Sequence, residues 1–124
     1  MYHLILVMAG GALGSAARFL VGRATLAGFG PNFPYGTLTV NLVGGLAMGV
    51  LAGFLARHAN GEAWRLLLGV GVLGGFTTFS SFSLDTIALI ERGSLGTALG
   101  YVLVSVIGSI LAVFVGLTSV RVAA

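Results

Sequence analysis

The chain has 124 residues and a mean hydropathy of +1.09, and only 7% of its residues are charged, too few to clothe a soluble domain of this size. A net charge of +3 that rests on Arg alone, with no basic cluster, leaves no footprint for nucleic acid, so none is expected as a partner. The absence of Cys excludes disulfides and thiol chemistry. These bounds describe an all-α integral membrane protein, one domain held almost wholly within the lipid bilayer.

A spanning helix needs about 20 mostly apolar residues. Four runs qualify: residues 4–21, 35–56, 65–90 and 95–119. The first lacks a basic n-region and a cleavage site, so it is expected to be a retained helix. Polar or Gly/Pro-bearing links separate the runs at residues 28–34, 57–62 and 91–94, short enough to make neighbouring helices antiparallel.

The first run sets Gly10, Gly14, Arg18 and Gly22 at i, i+4 spacing, on one stripe. Small residues so placed let helices pack closely in lipid. Arg18 shares that stripe and should face protein, either as an interfacial snorkelling group or as the charge that draws an anion into a vestibule. The second run carries Thr37, Asn41, Gly45, Gly49 and Gly53 on one stripe, which points Asn41 at a helix interface. The stripe alone favours an interhelical clamp; the alternative is a hydrogen-bond donor lining a pathway.

The third run is interrupted. Gly74-Gly75-Phe76-Thr77-Thr78-Phe79-Ser80-Ser81-Phe82-Ser83 joins two helix-loosening glycines to five hydroxyls that compete for backbone groups. Hydrocarbon offers no water to freed backbone, so a break here needs protein or a polar cavity, as at many ion and substrate sites. Phe79 and Phe82, three apart, share a face. The plain reading is packing or lipid contact, but their setting among Thr78, Ser80, Ser81 and Ser83 favours the alternative that two positive ring edges contact a small anion. Asp85 lies deeper than a link residue, and the plain reading pairs it with Arg18. The fourth run files Tyr101, Ser105 and Ser109 along one stripe, as tight helix contacts or as a polar track.

Arg57, Arg65 and Arg121 fall on one side of the membrane, and Arg18, Arg23 and Arg92 on the other, so the positive-inside rule has no preference. The polar residues crowd the half-membrane between the break and the side of the first and third links. For orientation, the plain reading is a weak bias settled by the N-terminal amine or the local lipids. The sharper one is insertion in both orientations, which permits an antiparallel, dual-topology homodimer whose inverted second copy supplies the missing half.

On Gly10-Gly11-Ala12-Leu13-Gly14-Ser15-Ala16-Ala17-Arg18, Gly36-Thr37-Leu38-Thr39-Val40-Asn41-Leu42-Val43-Gly44 and the double-Thr, double-Phe segment, the sequence resembles the Fluc (CrcB) family of fluoride channels. The resemblance runs the length of the chain; Ser81 stands where that family often has Thr, and Phe19 where Tyr is frequent. It implies a homodimer with two fluoride pores, in which Asn41 donates to fluoride while Phe79 and Phe82 line the route with ring edges. Ser81 joins that route, Tyr101, Ser105 and Ser109 match the family's polar track, and Arg18 lies at the vestibule. It also implies a structural sodium ion on the dimer axis, bound by the backbone carbonyls of Gly74 and Thr77 from both subunits. The implied role is passive fluoride export across a prokaryotic cytoplasmic (inner) membrane.

Two rivals differ in class. A proton-coupled small multidrug exporter needs a carboxylate in its first helix, and this chain has none there. A non-transporting membrane scaffold would use the glycine stripes for packing alone. An enzyme is not expected: His3 and His58 fall in interfacial segments, without nucleophile–base or metal-ligand spacing.

Overall fold

The computed structural model describes residues 1–58 and 60–123; Ala59, in the second link, lies outside the described residues. Four segments are long and apolar enough to cross a membrane: Tyr2–Phe29, Tyr35–Leu55, Glu62–Glu91 and Leu95–Ala123. We label the helices α1 (Tyr2–Phe29), α2 (Tyr35–Leu55), α3 (residues 62–76), α4 (Phe79–Glu91) and α5 (Leu95–Ala123). The third spanning segment is therefore α3 and α4 in series, parted at Thr77 and Thr78. Among the described residues there is no strand.

Two helices outrun their expected limits. α1 continues past residue 21 to Phe29, and α5 past 119 to Ala123. Polarity marks where a helix leaves hydrocarbon, but only backbone chemistry stops it. α1 ends at Gly30, whose φ of 80° is open to glycine and whose N–H caps the Leu26 carbonyl at 2.9 Å. At 28 residues α1 is about 42 Å long, enough to cross the bilayer with its headgroup regions. α4 ends in a Schellman arrangement: Gly93 has a φ of 83°, its N–H reaches Ile90 O, and Ser94 N–H reaches Leu89 O.

α3 contains a feature that hydropathy does not announce. Arg65–Leu73 winds as a π-helix, between the α-helical pieces Glu62–Trp64 and Gly74–Phe76. Runs of this kind are rare and often sit beside functional sites. Here the run leads directly into the break.

Glycine stripes pack the bundle into two pairs of helices. α1 lies along α3, where Gly10 and Gly14 meet the backbone of Leu67, Gly71, Val72 and Phe76. α2 lies along α5, with Gly45 against Ser109, Gly49 against Val113 and Gly53 against Val120. Gly116 of α5 returns the fit against Leu46 and Val50. At the far end, Arg57 donates to the terminal carbonyls of α5, Val120 O at 3.2 Å and Arg121 O at 3.3 Å, where the helix dipole favours a cation. On the opposite side Arg92 donates to Asn32 O at 2.7 Å and ties the third link to the first.

A Cβ at Gly49 would overlap the Val113 carbonyl, whereas one at Gly100 meets open space. Gly49→Val should therefore lower stability by about 1–3 kcal/mol or prevent assembly. Gly100→Ala should leave thermal unfolding in detergent unchanged.

Candidate functional site

The site is built on the break. Thr77 (φ −86°, ψ 158°) and Thr78 (φ −152°, ψ 123°) are extended, so α3 cannot hand its hydrogen bonds on to α4. The Thr77 N–H keeps its helical acceptor, and the donors at Thr78 and Ser81 are redirected. The Thr77 N–H and Oγ1 both donate to Leu73 O at 3.0 Å. The Thr78 N–H, which an unbroken helix would aim at the Gly74 carbonyl, donates to Asn41 Oδ1 at 2.8 Å. Asn41 Nδ2 donates back to Thr78 O at 2.9 Å. One carboxamide thus satisfies both faces of one peptide residue, as a neighbouring strand would. Thr78 Oγ1 then caps α4 by accepting the Ser81 N–H at 3.1 Å.

Asn41 is thus the clamp that its stripe suggests. Its Nδ2 carries a second hydrogen that Thr78 does not use. Redirecting these donors releases the Gly74 and Thr77 carbonyls from their helical partners, Thr78 N–H and Ser81 N–H, at the centre of the break. Arg18 Nε donates to Gly75 O at 3.0 Å. The expected Arg18–Asp85 pair does not form. Asp85 Oδ2 instead accepts the Tyr101 hydroxyl at 3.1 Å, because Arg18 lies against α3, the half of the third segment that ends before Asp85.

From the break an aromatic column runs toward the first link. Phe79 and Phe82 stand 5.5 Å apart between ring centres, Phe82 and Tyr101 5.2 Å, and Tyr101 and Phe33 5.4 Å with ring planes at 85°. Phe82 is only 8% exposed and belongs with Leu89, Ala98 and Tyr101 to the core of this end of the bundle. Phe79 is 76% exposed on the outer surface of the single chain.

Three cavities surround these groups. One of about 380 Å³ lies between α2, α4 and α5, lined by Asn41, Thr78, Phe79, Phe82, Ser105 and Ser109. Ser105 is 5% exposed and its Oγ has no hydrogen-bond partner among the described residues. A second, about 440 Å³, opens between α1 and α2, lined by Ser15, Arg18, Arg23, Thr37, Thr78 and Ser81. A third, about 310 Å³, lies beneath the first link and holds Asp85, Thr37 and Arg92.

The residues singled out in the sequence thus divide between compartments. Asn41, Phe79, Phe82, Ser105 and Ser109 share one cavity; Ser81 and Arg18 share another. Tyr101 is buried beside the first group rather than on its wall. Thr78, which borders both cavities, was missed as a site residue, although its position three before Ser81 is a helix-capping signal. Arg23 was also missed; nothing in its spacing distinguishes it.

Residues 5–117 match the family described as CrcB-like protein, Camphor Resistance (CrcB). A protein of Caulobacter sp. (strain K31) is 57% identical over 123 residues, 98% of this chain and 96% of its own length. One from Sphingopyxis alaskensis is 56% identical over 122 residues, 98% and 97% of the two chains. One from Caulobacter vibrioides is 54% identical over 123 residues, 98% and 97%. All three are named Fluoride-specific ion channel FluC. With four spanning segments and these relatives, the chain is a multi-pass integral membrane protein and belongs to the CrcB family.

Proposed function

We propose that this protein is a passive, fluoride-selective channel of the bacterial cytoplasmic membrane, relieving fluoride toxicity by letting the ion leave the cell. The observation that carries this reading is the cavity at the break. It gathers one unused amide hydrogen on Asn41, one unpaired hydroxyl on Ser105, and the rings of Phe79 and Phe82. Fluoride holds its water tightly, so a pore must replace that shell with several donors and ring edges, each weak enough to let go. Ser109 extends the donors along α5, and Tyr101 with Asp85 continues the polar line toward the first link. Arg18 and Ser81 face the second cavity, which serves as a vestibule, with Thr78 between it and the first.

An antiparallel homodimer is the working unit in this reading. Phe79, Ser80 and Ser83 are all exposed at mid-membrane depth on a single chain. Hydroxyl groups at that depth are poorly placed against lipid and call for a protein or water-filled neighbour. A second, inverted copy covers that face and gives the other half-membrane its polar groups.

The break also suits a structural sodium ion. Sodium takes oxygen ligands, and the Gly74 and Thr77 carbonyls are among those that lose their helical donors at the break. Those two carbonyls, from each subunit, would hold the ion, whose charge would compensate backbone left without hydrogen bonds.

Fluoride-loaded proteoliposomes test the reading: fluoride should leave rapidly while chloride is retained. A folded, sodium-supplied protein that releases no fluoride would sink it and bring the scaffold or drug exporter forward. Ser105→Ala removes a hydroxyl with no protein partner, so it should leave thermal stability unchanged yet slow fluoride efflux about three- to tenfold, the worth of roughly one hydrogen bond. Asn41→Leu should instead damage both properties: two buried backbone groups lose partners at about 1–3 kcal/mol each, read as a fall in melting temperature alongside lost flux. Replacing sodium on both sides with a large organic cation should lower melting temperature and flux together. Unchanged values in both assays would remove the ion from the account.

A further inference from the structure

We infer that the two arginines of α1 do different work: Arg18 is a positioning residue that holds the helix break in shape, and Arg23 supplies the free positive charge of the vestibule. The inference rests on the channel reading above. Both guanidinium groups border the same cavity of about 440 Å³, so position alone does not separate them. Their partners do.

Arg18 is part-buried and its Nε–H points across the α1–α3 contact to Gly75 O at 3.0 Å. In a continuous helix the Gly75 carbonyl would receive the Phe79 N–H, but the extended Thr77 and Thr78 lie between them. Arg18 supplies the missing donor, and a charged donor makes the stronger hydrogen bond. The approach depends on glycine. A Cβ on Gly75 would lie 2.7 Å from Gly11 O, so the two backbones touch about two turns before Arg18. The geometry uses the ring-like fork of a guanidinium at its Nε edge. A lysine keeps the charge but has no N–H at that point. With Asn41 holding Thr78 from α2, the break is gripped from both flanking helices, with the Thr77 carbonyl between the two grips and the Gly74 carbonyl just before the first.

Arg23 is exposed, and its guanidinium lies over the Phe19 ring at 5.9 Å from the centroid. Such a contact is worth only about 0.5–1 kcal/mol at an exposed site and leaves the charge available. A charge in the wall of a narrow cavity raises the local concentration of anions, and salt weakens the effect.

The two roles separate in efflux measurements on Arg18→Lys, Arg18→Gln, Arg23→Lys and Arg23→Gln at low and saturating fluoride and at low and high ionic strength. Hydrogen–deuterium exchange of the segment 73–80 is followed in parallel. Arg18→Lys should fall about tenfold in maximal flux, the equivalent of one charge-assisted hydrogen bond, at every fluoride and salt concentration, with faster exchange at the break. Arg23→Gln should lose about three- to fivefold at low fluoride and low salt only, recover at saturation, and show unchanged exchange, while Arg23→Lys matches the parent. Arg18→Lys with parent-like flux and exchange, or an Arg18→Gln defect that saturating fluoride repairs, would overturn the assignment and return the vestibule charge to Arg18. If Arg18→Gln does not fold, Arg18→Lys decides. A parent protein that passes no fluoride speaks against the channel, while the exchange comparison still reads the grip on the break.

Discussion

The structure depends on one constraint: a backbone that stops being helical inside a membrane must find new partners in protein or in a polar cavity. The pairing of Asn41 with both the N–H and the C=O of Thr78 meets that constraint for the residue where the helix fails. It explains why the break falls at Thr77 and Thr78 rather than at Gly74 and Gly75, whose chain remains helical. Glycine permits a turn but does not satisfy one. Asn41 on α2 and the hydroxyl of Thr78 supply the replacement partners, and the break settles where they reach.

The glycine stripes serve that same end. Side chains reach the break only because Gly10, Gly14 and Gly75 let α1 and the third segment touch backbone to backbone, and because Gly44 receives Thr77. Close packing of α2 on α5 through Gly45, Gly49 and Gly53 then brings Asn41 and Ser105 to the walls of one cavity. In lipid, where apolar burial gives little drive between helices, such contacts and a few polar bonds hold the bundle. The stripes that look purely structural therefore set the spacing of the donors.

Polar chemistry concentrates in the half-membrane from the break to the first and third links, and there it is layered. The cavity between α1 and α2 carries Arg18 and Arg23, the one between α2, α4 and α5 carries neutral donors and ring edges, and Thr78 borders both. In our reading, keeping full charge out of the second of these cavities lets an anion leave again, since a guanidinium at that depth would hold it. Phe79 and the hydroxyls beside it face outward from the single chain, so the arrangement is half of a site in our reading, completed by an inverted copy.

Hydropathy in the sequence determined the four spanning segments, because length and apolarity are properties of the chain alone. The i, i+4 stripes determined which residues share a face, and the Gly-Gly and hydroxyl-rich run announced a break to within a few residues. Tertiary structure decided the rest. That Arg18 serves Gly75 and not Asp85, that Asp85 takes the Tyr101 hydroxyl, and that Ser81 lies in a different cavity from Phe82 depend on the distance between helices. The π-helical course of Arg65–Leu73 belongs there too, since an arginine followed by eight apolar and glycine residues has too weak a pattern to tell its pitch from that of an α-helix. Periodicity tells which way a side chain points; only the packed bundle supplies what it meets.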